Sequence, residues 1–397
     1  MQVFLKESGI LAIAGIIAEF NPLHNGHKYL IDCAKSNGEK IVTVISGNFV
    51  QRGDVAIVPK YTRAEMALSA GVDLVVELPT PWAMSTAQNF AFGAMSQLST
   101  FNIDTLYFGS ECGDTEKLLK IAEIIYSDEF NDTLKKKITS GETYAKIRQN
   151  HLEKYIGDDC KILENPNDTL GIEYINAAKK LGLNIEFKAI KRVGAGHNDI
   201  AIHDNLVSST QIRKMILNEC ESDLSLFIPK SCNKILSISP KADISRLDKA
   251  IISRLKQLSI DEISNLADIS EGMDNLIYNK IRDSFSYDDL CSSIKTKRYT
   301  MARIRRILLS AYLGIDKRYF LKEPPYVKVL GLNTNCSKII PSSSNKPIIT
   351  RTMQINSQSD ELKELFGLEN RLNEIYALSL DRPNLYLNEM KQKLIKH

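Results

Sequence analysis

Residues Gly15 to Leu30 read GIIAEFNPLHNGHKYL, and the order in which their properties change limits the folds open to the chain. Leu11 to Ala18 is an unbroken apolar run, as expected of a strand buried on both faces of a parallel sheet. Glu19-Phe20-Asn21-Pro22 is a sharp polar turn, and His24-Asn25-Gly26-His27 opens a helical stretch. Two imidazoles and a glycine therefore fall where a strand ends and a helix begins. In open α/β sheets ligands bind at that end of the strands. The free N–H groups of a helix start favour a phosphate there. A glycine between two histidines lets a base or phosphate approach the backbone. The imidazoles can donate hydrogen bonds to phosphoryl oxygens as charge moves to a leaving pyrophosphate.

The rest of the first half alternates in the same way. Ile41 to Ser46, Asp73 to Leu78, Thr105 to Gly109 and Asn184 to Arg192 read as further strands. Thr62 to Ala70, with Thr62 as N-cap and Glu65 in capping-box position, reads as a helix, as do Ala87 to Leu98 and Thr115 to Tyr126. Such alternation implies right-handed βαβ crossovers and a Rossmann-like, doubly wound parallel sheet. Residues 127–157 are charged and helical, an insertion or lid within a first unit spanning 1–228. Residues 229–397 read as a mostly helical C-terminal region. Apolar residues recur at helical spacing from Leu247 to Leu313, Pro324-Pro325 marks a break, and Tyr326 to Leu330 begins a strand-containing segment. Asn333 to Asn345 reads as a flexible loop and Leu362 to Leu378 as a further helix.

Composition narrows the class. The net charge of +3 is too mild to establish a nucleic-acid partner, so the distribution of charge must decide. Seven scattered cysteines, never in CxxC spacing, argue for free thiols in the cytoplasm and against a disulfide framework or a cysteine zinc site. Neither a signal peptide nor a membrane span is expected.

Three further features carry chemistry. Leu206 to Arg213 (LVSSTQIR) places Ser208, Ser209 and Thr210 as a helix N-cap, with Arg213 one turn in to clamp a phosphate. By itself this could be an ordinary capped helix. Gln51-Arg52-Gly53-Asp54 with Lys60 and Arg63 is a charged loop on the ligand side of the sheet, favouring a substrate or RNA contact over a solvated turn. Between Lys295 and Arg306 lie six basic residues, Lys295, Lys297, Arg298, Arg303, Arg305 and Arg306, with Tyr299 among them and no acid within the run. That composition suits an RNA backbone better than a solvated helix face. Trp82 reads as packing. His151, His197 and His203 lack metal-ligand spacing, and the polar loop around His197 and His203 is a weak candidate cover for a nucleotide.

The His-x-Gly-His and Ser-Ser-Thr-x-Ile-Arg elements resemble the signatures of the nucleotidyltransferase superfamily that includes class I aminoacyl-tRNA synthetases and metabolite adenylyltransferases. Four more strings narrow the likeness: Gly47-Asn48-Phe49-Val50-Gln51-Arg52-Gly53-Asp54; then Lys60, Arg63 and Glu65; then Gly109-Ser110-Glu111; then Asn165 to Tyr174. In this order, over residues 11–215, they resemble the bacterial tRNA(Met) cytidine acetate ligase family. Phe20 stands where many members carry Tyr, and Leu23 where they carry Phe. The resemblance implies that ATP is bound by Ile16, Ile17, Ala18, Glu19, Phe20, Asn21, Pro22, Leu23, His24, Asn25, Gly26, His27, Lys28 and Tyr29, by Gly109, by Asn167 or its neighbour Asn165, and by Arg192. Ser209, Thr210 and Arg213 are expected to add phosphate contacts. His24 and His27 would be catalytic, and the Lys295–Arg306 run would hold RNA.

The implied reaction joins acetate to the wobble cytidine of elongator tRNA(Met) through an acetyl-adenylate, giving N4-acetylcytidine. Magnesium is expected with the ATP, with no metal site built by the protein, no membrane association and no obligate protein partner. A metabolite adenylyltransferase, or a tRNA-binding protein with a relic nucleotide site, are the alternatives.

Overall fold

The computed structural model describes residues 12–130, 132, 144–192, 207–218, 224–270, 272–383 and 389–397. The polar loop with His197 and His203, and part of the expected lid, lie outside them. Strand β1 (Ile13–Ala18) is followed by helix α1 (Asn25–Ser36) and β2 (Lys40–Ser46). A short antiparallel hairpin comes next, β3 (Phe49–Val50) and β4 (Asp54–Val55). Then follow α2 (Lys60–Ser69), β5 (Leu74–Leu78), α3 (Thr80–Ala83), α4 (Ala87–Ser99), β6 (Thr105–Ser110) and α5 (Thr115–Ile125). Helices α6 (Tyr144–Ile156) and α7 (Pro166–Lys180) lead to β7 (Glu186–Lys191).

Strands β5, β2, β1, β6 and β7 lie side by side in that order and all run parallel. Chain order reverses at β1, whose neighbours are β2 and β6, so the crevice at the carboxyl ends of β1 and β6 is the place such a sheet offers a ligand. Both faces are covered, as the unbroken apolar runs require. Ile16 packs into one core with Leu30 and Ile31 of α1, while the adjacent Ile17 packs into the other with Phe90 and Leu98 of α4.

Helix α8 (Ser209–Leu217) and α9 (Lys230–Ile238) precede a helical bundle made by α10 (Asp248–Lys256), α11 (Ile260–Ser264), α12 (Met273–Asp283), α13 (Tyr287–Ile294) and α14 (Met301–Leu313). The expected boundary at 228 and 229 is crossed from the other direction. Strand β8 (Val327–Leu332) pairs antiparallel with β5, and β9 (Ile348–Ile349) and β10 (Ile395–Lys396) pair with β8. The last part of the chain thus completes the parallel sheet, and the helices expected over 247–313 and 362–378 form where the sequence places them. Residues 333–345 are not simply a loop: Thr334–Ile339 forms a 3-10 turn that buries Cys336.

Helix α15 (Asp360–Ala377) closes over the end of β5 and meets a buried charge cluster. Lys60 bonds Glu77 at 2.7 Å and Glu389 at 3.2 Å, and Lys328 pairs with Glu389 and lies 3.6 Å from Glu77. Glu369 of α15 accepts from the Thr80 N–H at 2.6 Å and its hydroxyl at 2.9 Å. Burial, then repulsion from Glu77, raises the Glu369 carboxyl to about 7. These groups neutralise one another away from solvent, so Lys60 is structural and is not the substrate contact expected of it.

Candidate active site

The turn after β1 is held from beneath. Asn21 accepts the Ile57 N–H at 2.7 Å, and Phe20, at φ +48°, buries its ring in the core shared by β1 and α1. His24 is the N-cap of α1: its Nδ1 accepts the Gly26 N–H at 3.0 Å. His27 reaches back, its Nδ1 accepting the His24 N–H at 3.3 Å. The two rings stack with centroids 3.9 Å apart, and Phe20 lies edge-on to His27 at 5.1 Å. Gly26 has a second use: a Cβ there would stand 2.9 Å from His24 Cε1, so only glycine leaves the ring room to fold over the helix start.

Because each Nδ1 accepts a backbone proton, each neutral imidazole carries its own proton on Nε2, free to be donated to a ligand. Burial and the nearby Arg192 charge pull His24 down to about 3. Burial, His24 and Arg192 together hold His27 well below its ordinary value. The site therefore presents two fixed neutral donors with a guanidinium beside them. That pattern suits oxygen atoms whose negative charge grows during reaction.

Arg192 follows β7, anchored by its N–H to the Ser110 carbonyl at 2.9 Å, and its side chain passes over Gly109 at the end of β6. Glu111 accepts from the Asn167 amide at 2.5 Å and from the Asp168 N–H at 3.1 Å, while the Asn165 amide bonds Asp168 at 2.9 Å. On α8, Ser208 caps the helix through the Gln211 N–H at 3.3 Å. Arg213 donates to the Asn21 carbonyl at 2.8 Å and to Thr210 Oγ1 at 3.2 Å. The turn and helix start after β1, Gly109, Arg192 and Arg213 lie at the same end of the sheet, with Asn167 joined through Glu111, whereas Ile16, Ile17, Phe20 and Leu23 turn their side chains into the cores and Tyr29 is half exposed. Among the described residues no group of three or more His, Cys, Asp or Glu is placed to hold a metal ion.

A HIGH nucleotidyl transferase family model matches residues 11–393. A tRNA(Met) cytidine acetate ligase of Caldanaerobacter subterraneus subsp. tengcongensis is 40% identical over 381 residues, covering 92% of this chain and 94% of the relative. That of Thermoanaerobacter sp. strain X514 is 36% identical, covering 97% of this chain and all of the relative. The chain belongs to the tRNA(Met) cytidine acetate ligase family of HIGH nucleotidyl transferases. Thermotoga maritima TmcAL, solved with alpha-thio ATP, superposes with a TM-score of 0.89 at 27% identity over 98% of this chain and 100% of that one. Its apo form gives 0.90.

Membership of this family makes the misread residues instructive. Arg63 is fully buried. Its guanidinium donates to the carbonyls of Glu19 at 2.8 Å, Ser46 at 2.9 Å and Val58 at 3.2 Å, and also to that of Gly47. It ties the ends of β1 and β2 together and is not a substrate or RNA contact. The helix carrying it starts at Lys60 after Pro59, so Thr62 and Glu65 form no capping box. Trp82 is buried, as expected of packing. His151 packs in an aromatic cluster with Phe130 and Tyr155.

The basic run is also more occupied than the sequence implies. Arg303 donates to the Asp268 carbonyl at 2.7 Å, Arg306 bonds the Asp268 carboxylate at 3.2 Å, and Arg305 lies 3.6 Å from Asp288. Compensating acids come from elsewhere in the bundle. Lys295, Lys297 and Arg298 remain exposed.

Proposed function

We propose that the protein is an ATP-dependent tRNA(Met) cytidine acetate ligase. The observation that carries the reading is the pair of neutral imidazoles, each with Nδ1 held by the backbone and its proton on Nε2, set with Arg192 at the sheet's switch point. The family relatives and the neighbour solved with alpha-thio ATP support the nucleotide and the RNA. Acetate attacks the α-phosphorus of ATP and pyrophosphate leaves. The N4 amine of the wobble cytidine of elongator tRNA(Met) then attacks the acetyl carbonyl, loses a proton and expels AMP. His24 and His27 would stabilise charge developing on the phosphoryl oxygens, and Arg192 would hold the polyphosphate. The Ser209, Thr210 and Arg213 segment would support the nucleotide turn, and Gly109 and Asn167 would line the nucleoside side. Magnesium would be carried by the phosphate oxygens of the nucleotide. No described helix is long and apolar enough to cross a membrane. A cytoplasmic location suits an enzyme acting on tRNA.

The test is mass spectrometry of nucleosides from tRNA(Met) incubated with protein, ATP and isotope-labelled acetate. Labelled N4-acetylcytidine is expected. Pyrophosphate exchange driven by a phosphorylated metabolite in place of acetate would move the assignment to an adenylyltransferase. tRNA binding without any ATP consumption would mark a relic site.

The exposed part of the basic run would hold the RNA backbone. Changing Lys295, Lys297 and Arg298 to Ala is expected to weaken tRNA binding and lower the log–log salt slope by about 0.7–0.9 for each phosphate no longer neutralised. ATP affinity should stay constant. An unchanged slope would make the run a solvated surface.

A further inference from the structure

The hairpin β3–β4 is fixed from both sides. On one, the Gln51 N–H donates to the Glu19 carboxylate at 2.8 Å, in the turn that leads to the two histidines. On the other, Arg306 of α14 reaches the Gln51 carbonyl at 3.4 Å. Gly53, at φ +71°, lies so close to α14 that a Cβ would stand 2.5 Å from the Arg306 nitrogen. Arg52, between these two anchored residues, is exposed and makes no ion pair or hydrogen bond among the described residues. Arg52 thus projects from a turn tied through Gln51 to Glu19, at the end of the strand that leads to the two histidines. Topology separates this arginine from the nucleotide groups. Gly109, Asn167 and Arg192 lie with β6 and β7 on one flank of β1, whereas the hairpin follows β2 on the other. A rigid turn that offers an exposed, unpaired arginine is suited to an anion arriving from solvent on the free flank.

We propose that Arg52 binds the RNA phosphodiester beside the target cytidine and so seats the base amine against the acyl-adenylate. This rests on the tRNA-ligase reading. The Glu19 contact places the arginine at the reacting end of the site, and the α14 contact joins it to the bundle that carries the basic run.

The test compares wild type with Arg52→Ala and Arg52→Lys. tRNA acetylation, acetate-dependent ATP–pyrophosphate exchange and the salt dependence of tRNA binding are measured for each. In Arg52→Ala, kcat/KM for tRNA should fall about ten- to a hundredfold, the effect of losing a charge-assisted hydrogen bond. The salt slope should drop by about 0.7–0.9. Exchange, which needs no RNA, should fall far less than acetylation, because no hydrogen bond or ion pair joins Arg52 to His24, His27 or Arg192 among the described residues. Arg52→Lys should recover the slope but only part of kcat/KM, because the bidentate fork is lost. Equal losses in exchange and acetylation would assign Arg52 to the nucleotide and overturn the proposal, as would unchanged acetylation. If the wild-type protein makes no acetylcytidine, the ligase reading falls. Arg52 is then judged on tRNA binding alone: a lower slope supports it and an unchanged slope overturns it.

Discussion

Replacing His27 with Ala is expected to lower acetate-dependent pyrophosphate exchange by about 10²–10³, the typical cost of losing one preorganised donor to a developing charge. His24→Ala should match that loss and also remove a helix cap worth about 1 kcal/mol. Both variants should still bind tRNA, since the exposed lysines and arginines lie elsewhere. Wild-type exchange rates in both would remove the histidines from the chemistry. The pH behaviour follows from the same geometry. Both imidazoles stay neutral in the folded protein, His24 down to about 3, so exchange should show no inflection near 6.5 from either. Stability should respond instead. Below about 6.5 the unfolded chain takes up protons that the folded histidines refuse, so folding stability should fall as the pH drops from there towards 3. Denaturant titrations at several pH values measure this, and replacing both histidines by Asn should flatten the slope.

Arg63→Ala is expected to destabilise the protein by at least about 3 kcal/mol, because four carbonyls lose their donor away from water. Burial draws the guanidinium down to about 10, so it is still charged at neutral pH and its site is built for the fork. Lysine should not rescue it, since one ammonium cannot reach carbonyls on both strand ends and the helix entry. Chemical unfolding checks this; a loss under about 1 kcal/mol would make Arg63 a peripheral group. In the surviving folded fraction exchange should also suffer, since Glu19, which Arg63 holds, leads into the histidine turn.

The two arginine cases show how far the amino-acid sequence could be read. The strand–turn–helix around His24 and His27 was legible because its meaning is local: an apolar run, a turn and a capped helix lie within sixteen consecutive residues. The five parallel strands followed from the same periodicity. Lys60 and Arg63 were misread because a charge in a sequence looks solvated, and its partners, Glu77, Glu389 and the carbonyls at two strand ends, lie distant along the chain. The basic run was overvalued for the same reason, since Asp268 and Asp288 reach it from other parts of the bundle. Asn165 and Asn167 could not be separated by motif alone. Their bonds now differ, one to Asp168 and one to Glu111.

The antiparallel addition of β8 next to β5, with β10 on its far side, bears on how the chain can be made and divided. Synthesis delivers β5 some 250 residues before β8, so until then one edge of the parallel sheet has unpaired N–H and C=O groups and a bare apolar strand. The nascent first half is therefore the form most exposed to aggregation. A fragment ending near residue 228 would keep every histidine and arginine of the crevice yet stay in that vulnerable form. Any dissection of this enzyme that separates the sheet from the helical bundle has to remove the bundle from within, joining the chain before Leu247 to a point after Leu313, and leave the closing strands in place.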